Sequence, residues 1–138
     1  MSTTASLVLR DLRQSDLEAA QRLSAAMAWP HRLEDWRHLL AAGHGLAACD
    51  AEGALLGTTL WWHCGPAAAT IGMVLVDIDR QGCGSGRCLR RFALARLGPR
   101  ALMLDATPAG LALSHRHGFH ESGRIAQHQG IVAETGAF

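Results

Sequence analysis

The stretch 74-VLVDIDRQGCGSGRCLRRFAL-94 decides how the chain is read. An apolar run ends in acidic residues and gives way to Gly82, Gly84 and Gly86. It restarts at once as an amphipathic segment studded with arginine. A strand, a bare backbone loop and a basic helix in that order suit an anion. Glycines remove the Cβ atoms that block close approach and permit φ > 0, so successive N–H groups converge on one ligand. The following helix adds about half a positive charge at its N-terminus, where Arg87 stands in the first turn.

Two phosphate-loop signatures fail. A P-loop needs a lysine, and all 13 basic residues of this chain are arginine. A dinucleotide fingerprint needs a third glycine where Arg87 or Leu89 stands. The spacing that fits is Gln81-x-x-Gly84-x-Gly86.

Outward from this stretch, the order of elements is legible. Residues 7-LVLRDL-12 read as a strand, and 15-SDLEAAQRLSAAM-27 as a helix opened by a Ser/Asp cap and stopped by Pro30. A second helix, 33-LEDWRHLLAA-42, has Glu34 and Asp35 in its first turn and stops at Gly43. The strands 46-LAACD-50 and 54-ALLGTTLWWHC-64 meet across Ala51-Glu52-Gly53. Gly65-Pro66 turns the chain into 69-ATIGMVLVD-77, whose MVLV lacks alternation and reads as covered on both faces. A helix over 87–97 places Leu89, Phe92, Ala93 and Leu97 on one face and mostly spares it Arg87, Arg90, Arg91 and Arg96. The strand 101-ALMLDA-106, a helix over 108–117 and a last substantial strand, 119-FHESGRIAQHQ-129, complete the series. The order β-α-α-β-β-β-α-β-α-β predicts one α/β domain of the α+β type, about four helices on a largely antiparallel sheet.

Bulk properties limit the partners. The 138 residues suit one core, and the net charge of +1 gives no general attraction to nucleic acid or anionic membrane. Cys49, Cys64, Cys83 and Cys88 form no C-x-x-C pair, and the opening residues lack a signal-peptide pattern, so reduced thiols and a cytoplasmic location are expected. His115, His117 and His120 crowd a helix end without ligand-like spacing, and no metal is expected.

The motif Gln81-x-x-Gly84-x-Gly86 after an apolar strand resembles motif A of the GCN5-related N-acetyltransferase (GNAT) superfamily. The run 104-LDATPAGLALSHRHGF-119 resembles that family's second motif. The resemblance implies acetyl-CoA as cosubstrate, with no metal. The backbone of Met73, Val74, Leu75 and Val76 would pair with the pantetheine arm. Gln81, Gly82, Cys83, Gly84, Ser85, Gly86 and Arg87 would cradle the pyrophosphate, with Thr107 and Gly110 of the second motif also at the cofactor. Arg87 or Arg91 would reach a further phosphate, unless Arg90 and Arg91 are plain solvent-facing charge.

The implied reaction is attack of a neutral amine on the thioester carbonyl. A lysine-like amine with a pKa near 10.4 costs about 4 kcal/mol to deprotonate at about pH 7.4, so a base is useful. His63, Asp77 and Asp105, each near a strand end, are candidates; local capping is the alternative for each. A backbone N–H of the Val74–Val76 strand would meet the developing oxyanion. Many relatives carry a tyrosine where this chain has Ser114, and no tyrosine exists elsewhere. Ser114 or His115 would then protonate the leaving thiolate, or the chain is a non-catalytic CoA-binding module. Trp29, Trp36, Trp61 and Trp62 either border an acceptor pocket or pack the core. The acceptor, a small-molecule or protein amine, is not legible. The family fold usually ends in two strands and this chain has room for one convincing one, so an open sheet edge and a homodimer are expected.

Overall fold

In a computed structural model of the protein, the apolar run around residue 74 is the fourth strand of a sheet that has five strands among the described residues. The structure describes residues 7–80, 84–105, 118–126, 128 and 130. The strands are β1 (Val8–Asp11), β2 (His44–Cys49), β3 (Leu55–His63), β4 (Ala68–Val76) and β5 (Ala101–Leu104), hydrogen-bonded in that order. β1 to β4 are antiparallel and β5 runs parallel to β4. The helices are α1 (Leu17–Ala26), α2 (Leu33–Ala42) and α3 (Ser85–Leu97). The expected helix over 108–117 lies outside the described residues.

Local chemistry fixes the boundaries. α1 buries Leu17, Ala20 and Ser24 at helical spacing. It ends where Trp29 N–H donates to Ser24 O (2.9 Å) and Ala28 N–H to Ala25 O (3.0 Å). Ala28 holds φ +61 there, a conformation usually given to glycine. α2 begins where the Asp35 carboxylate accepts the Arg32 N–H at 2.8 Å, and it stops at Gly43 as expected. Hydrogen bonds from the Arg32 side chain and backbone hold Asp35 below the usual carboxylate range. Between β2 and β3, Asp50 Oδ1 accepts the N–H groups of Glu52 (3.0 Å) and Ala54 (2.8 Å), and Gly53 takes φ +88.

The sheet is covered on both faces. On one, Leu12, Leu17, Ala20 and Trp36 pack against Ala47, Cys49, Leu60 and Leu75. The Trp36 indole is fully buried and donates to Ser24 Oγ at 3.2 Å. On the other lies α3, which buries Leu89, Ala93 and Leu97. Gly57 of β3 makes that approach possible, since a Cβ there would stand 2.6 Å from Leu75 O and 3.0 Å from Leu89 Cδ1.

Some expectations need correction. Ser15 and Asp16 do not cap α1 directly but form a short 3-10 turn ahead of it. Asp16 instead faces back to β1, where both Arg10 guanidinium nitrogens donate to it at 2.7 Å and Arg13 N–H at 2.8 Å. The paired charge outweighs helix capping there. Arg90, grouped with solvent-facing charge, is buried on α3; burial lowers its pKa. Phe92, assigned to the buried face, is exposed. Residues 119–126 are not in a strand; Phe119 and Ile125 are their only large apolar residues, too few to anchor one.

The chain falls into two compact units, Met1–Leu104 and Asp105–Phe138. In the second, an exposed Arg124–Glu121 ion pair spans 2.8 Å. The sequence argument for a homodimer concerned this C-terminal region, most of which lies outside the described residues. Among those residues Cys49 is buried, Cys88 half-buried and Cys64 exposed, all as free thiols, and no helix is long and apolar enough to cross a membrane.

The Arg10–Asp16 pair gives the fold an acid sensitivity. Arg10 donation holds the Asp16 carboxyl below its ordinary value. Its contribution to stability is therefore complete above the unfolded carboxylate pKa, near pH 4, and is lost as pH falls through the lower folded value. Asp16→Asn is expected to cost about 1 kcal/mol at neutral pH, since it leaves a half-buried arginine without its counter-charge. Urea denaturation from pH 7 to 2.5 checks this: the gap between parent and variant should close in acid.

Candidate functional site: an open strand edge beside a glycine-capped helix

β4 is irregular on both of its edges. Toward β3, the register pairs Thr58 with Leu75 and Leu60 with Gly72. Met73 and Val74 therefore oppose Thr59 alone, a bulge that breaks the ladder and leaves an extra residue unpaired. Met73 takes φ +51 within it, a left-handed conformation that costs a non-glycine residue about 1–2 kcal/mol. Two interactions hold it: Thr58 Oγ1 donates to Met73 O at 2.8 Å, and the Met73 side chain packs on the α1–α2 core.

Toward β5, pairing covers only Ala68–Ile71. From Gly72 to Leu75 the outer edge of β4 has no strand beside it among the described residues. Its backbone polar groups there form a template for an extended ligand chain. Trp62 closes one face at that point, its ring lying 2.9 Å from where a Gly72 Cβ would stand and its N–H donating to Leu39 O at 2.8 Å.

Past the end of β4 the chain reaches an anion-suited turn. Asp77 N–H donates back to Leu56 O (2.7 Å), and Asp77 Oδ1 accepts the Asp79 N–H (2.9 Å). Gly84 is the N-cap of α3 at φ +85, with open space around its Cβ position. Ser85 is buried, Gly86 half-buried and Arg87 exposed in the first turn, which holds no acidic residue. Gln81, Gly82 and Cys83 lie outside the described residues. An edge for an extended arm thus leads to a helix N-terminus suited to phosphate.

Of the candidate catalytic residues, His63, Asp77 and Asp105 lie among the described residues. His63 ends β3 opposite Ala69, exposed, its ring 5.2 Å from His44. That register lies four residues from Met73, about 13 Å along a strand. Asp77 has the capping role just described. Asp105 is exposed and belongs to the second unit. Ser114 and His115, like Thr107 and Gly110, lie outside the described residues. Of the tryptophans, Trp36 and Trp61 are buried while Trp29 and Trp62 are half-buried beside the α1–α2 core. Glu34 and Asp35 form the acidic first turn of α2. Among the described residues no group of three or more potential metal ligands gathers. Sequence reading missed the bulge, because methionine gives no sign of a left-handed backbone.

This architecture is shared. The ribosomal-protein-S18-alanine N-acetyltransferase of Escherichia coli superposes with a TM-score of 0.77 at 22% identity, over 86% of this chain and 80% of that one. The fold is that of the GNAT acetyltransferases. A GCN5-related N-acetyltransferase from Ralstonia eutropha matches at TM-score 0.69 and 20% identity, over 90% of this chain and 99% of its own. A ribosomal-protein-alanine N-acetyltransferase from Brucella melitensis gives 0.71 and 21% over the same shares. No protein-family model and no curated protein sequence matches the chain. The GNAT fold is therefore established by structure, at identities where sequence comparison alone is silent.

Gly84→Ala tests the αL cap. No atom of the described residues blocks the new methyl group, so its expected cost is backbone strain, about 1 kcal/mol of stability; chemical denaturation should show this loss without a change of fold by circular dichroism.

Proposed function

We propose that the protein is an acetyl-CoA-dependent N-acetyltransferase acting on a small-molecule or protein amine. The observation that carries this reading is the open edge of β4 beside its bulge, followed by the αL glycine at the start of α3. The residues fit the cosubstrate: Gly84 leaves its surroundings clear for a phosphate, and the edge from Gly72 to Leu75 suits an amide-bearing arm. The fold shared with acetyltransferases supports the same reading.

In this reading the backbone of Met73–Val76 pairs with the pantetheine amides. The first amides of α3 bind the pyrophosphate, and Arg87 supplies a full positive charge at the same end. A bulge N–H, freed from the ladder, donates to the thioester oxygen as a neutral amine attacks its carbon and negative charge develops there. The C–S bond then breaks and the thiolate departs, while the amine nitrogen gives up its proton to solvent or a nearby base as the amide forms. No tyrosine stands ready to protonate it, so the donor is Ser114, His115 or solvent; a thiolate of pKa near 8.5 leaves tolerably unaided, and general-acid help is worth about 10²–10⁴-fold. That missing tyrosine also favours a second reading, a GNAT-fold module that binds CoA without turnover.

Isothermal titration with acetyl-CoA, CoA and ATP tests the binding step. Saturable heat with both CoA ligands and none with ATP is expected; silence with all three contradicts the reading. Thiol release in the presence of a panel of amines then separates the enzyme from the binding module. Arg87→Ala should weaken acetyl-CoA binding by about tenfold, the loss of one charge-assisted phosphate contact, with little change in melting temperature because the side chain is exposed.

A further inference from the structure

Thr59 is 0% exposed, and its hydroxyl has no hydrogen-bond partner among the described residues. Buried hydroxyls are ordinarily satisfied, and an orphan destabilises the fold. Thr58, equally buried, shows the contrast by donating to Met73 O at 2.8 Å. Successive strand residues face opposite sides of a sheet. Thr58 shares its side with Leu60 and the α1–α2 core, whereas Thr59 shares its side with Gly57, which meets Leu89 of α3.

The orphan's position is specific. Thr59 is the one residue between Gly57 and His63 that has no register partner on β4, because the strand bulges past it at Met73 and Val74. A strained backbone and an unused donor therefore face one another across one gap in the ladder. Strain of this kind persists where surrounding structure holds it, and it concentrates at working sites.

We propose that Thr59 is a positioning residue for the acyl-transfer site. This rests on the acetyltransferase reading above. When an acyl thioester pairs along the outer edge of β4, the bulge adjusts and the Thr59 hydroxyl donates to a backbone carbonyl of residues 72–74. Thr58 holds the bulge from one face of the sheet, and Thr59 then holds it from the other. The ligand-free protein carries the missing hydrogen bond as lost stability. The loaded protein regains it, and the bulge amide is fixed on the thioester oxygen.

Two variants of the full chain test this, with acetyl-CoA as the probe. Valine keeps the shape of threonine without its hydroxyl, and serine keeps the hydroxyl. Thr59→Val is expected to raise the melting temperature of the ligand-free protein by about 3–6 °C while weakening acetyl-CoA binding by about tenfold. Thr59→Ser is expected to bind like the parent. A purely structural hydroxyl would shift the melting temperature and leave affinity untouched. The proposal is overturned if Thr59→Val binds as tightly as the parent, or if its ligand-free melting temperature falls. A parent protein that takes no acetyl-CoA overturns the acetyltransferase reading, and this proposal with it.

Discussion

One extra residue in β4 governs the rest of the structure. The β3–β4 ladder is regular through Gly72 and regular again from Leu75, and between them Met73 and Val74 share a single partner position. A bulge increases local twist and bends its strand. Just before this bend the pairing with β5 stops, at Ile71. Among the described residues the outer edge of β4 is thus open at the place where the inner ladder is broken. An edge strand in a small protein is normally a liability that is covered or charged. Here the open stretch is short and apolar, which fits an edge kept for a ligand.

The supports of this stretch are distributed through the fold. Thr58 holds the Met73 carbonyl, the α1–α2 core receives the Met73 side chain, and Trp62 lies against Gly72. Trp62 is in turn tied to α2 through Leu39 O, and its ring lies against Gly43, where a Cβ would collide with it. On the opposite face, Gly57 lets α3 settle against the sheet, and α3 presents its glycine-capped N-terminus beyond the end of β4. The Arg10–Asp16 pair joins β1 to the turn before α1, fixing the layer on which Met73 rests.

Sequence reading succeeded where local chemistry determines the outcome. The limits of α2 follow from Asp35 and Gly43, and the β2–β3 turn from Asp50 and Gly53. β4 was legible as an apolar run, although within its MVLV stretch only Leu75 is buried and Met73, Val74 and Val76 are half-buried. The glycine spacing around Gly84 pointed to the start of α3. What remained hidden depends on tertiary context. Nothing in the side chain of Met73 signals φ +51. The burial of Arg90 follows from how α3 lies on the sheet, and the pairing of Asp16 with Arg10 overrides its local tendency to cap. Thr58 and Thr59 are identical in sequence terms, and only the register distinguishes the satisfied hydroxyl from the orphan.

The most direct test of the account is amide hydrogen exchange resolved by residue, with and without acetyl-CoA. If the open edge of β4 is the docking strand, exchange should slow at amides between Met73 and Val76 and at Ser85–Arg87, while β1, at the far edge of the sheet, is unaffected. Unchanged exchange along β4 despite saturable binding, or protection centred on another strand, would contradict it.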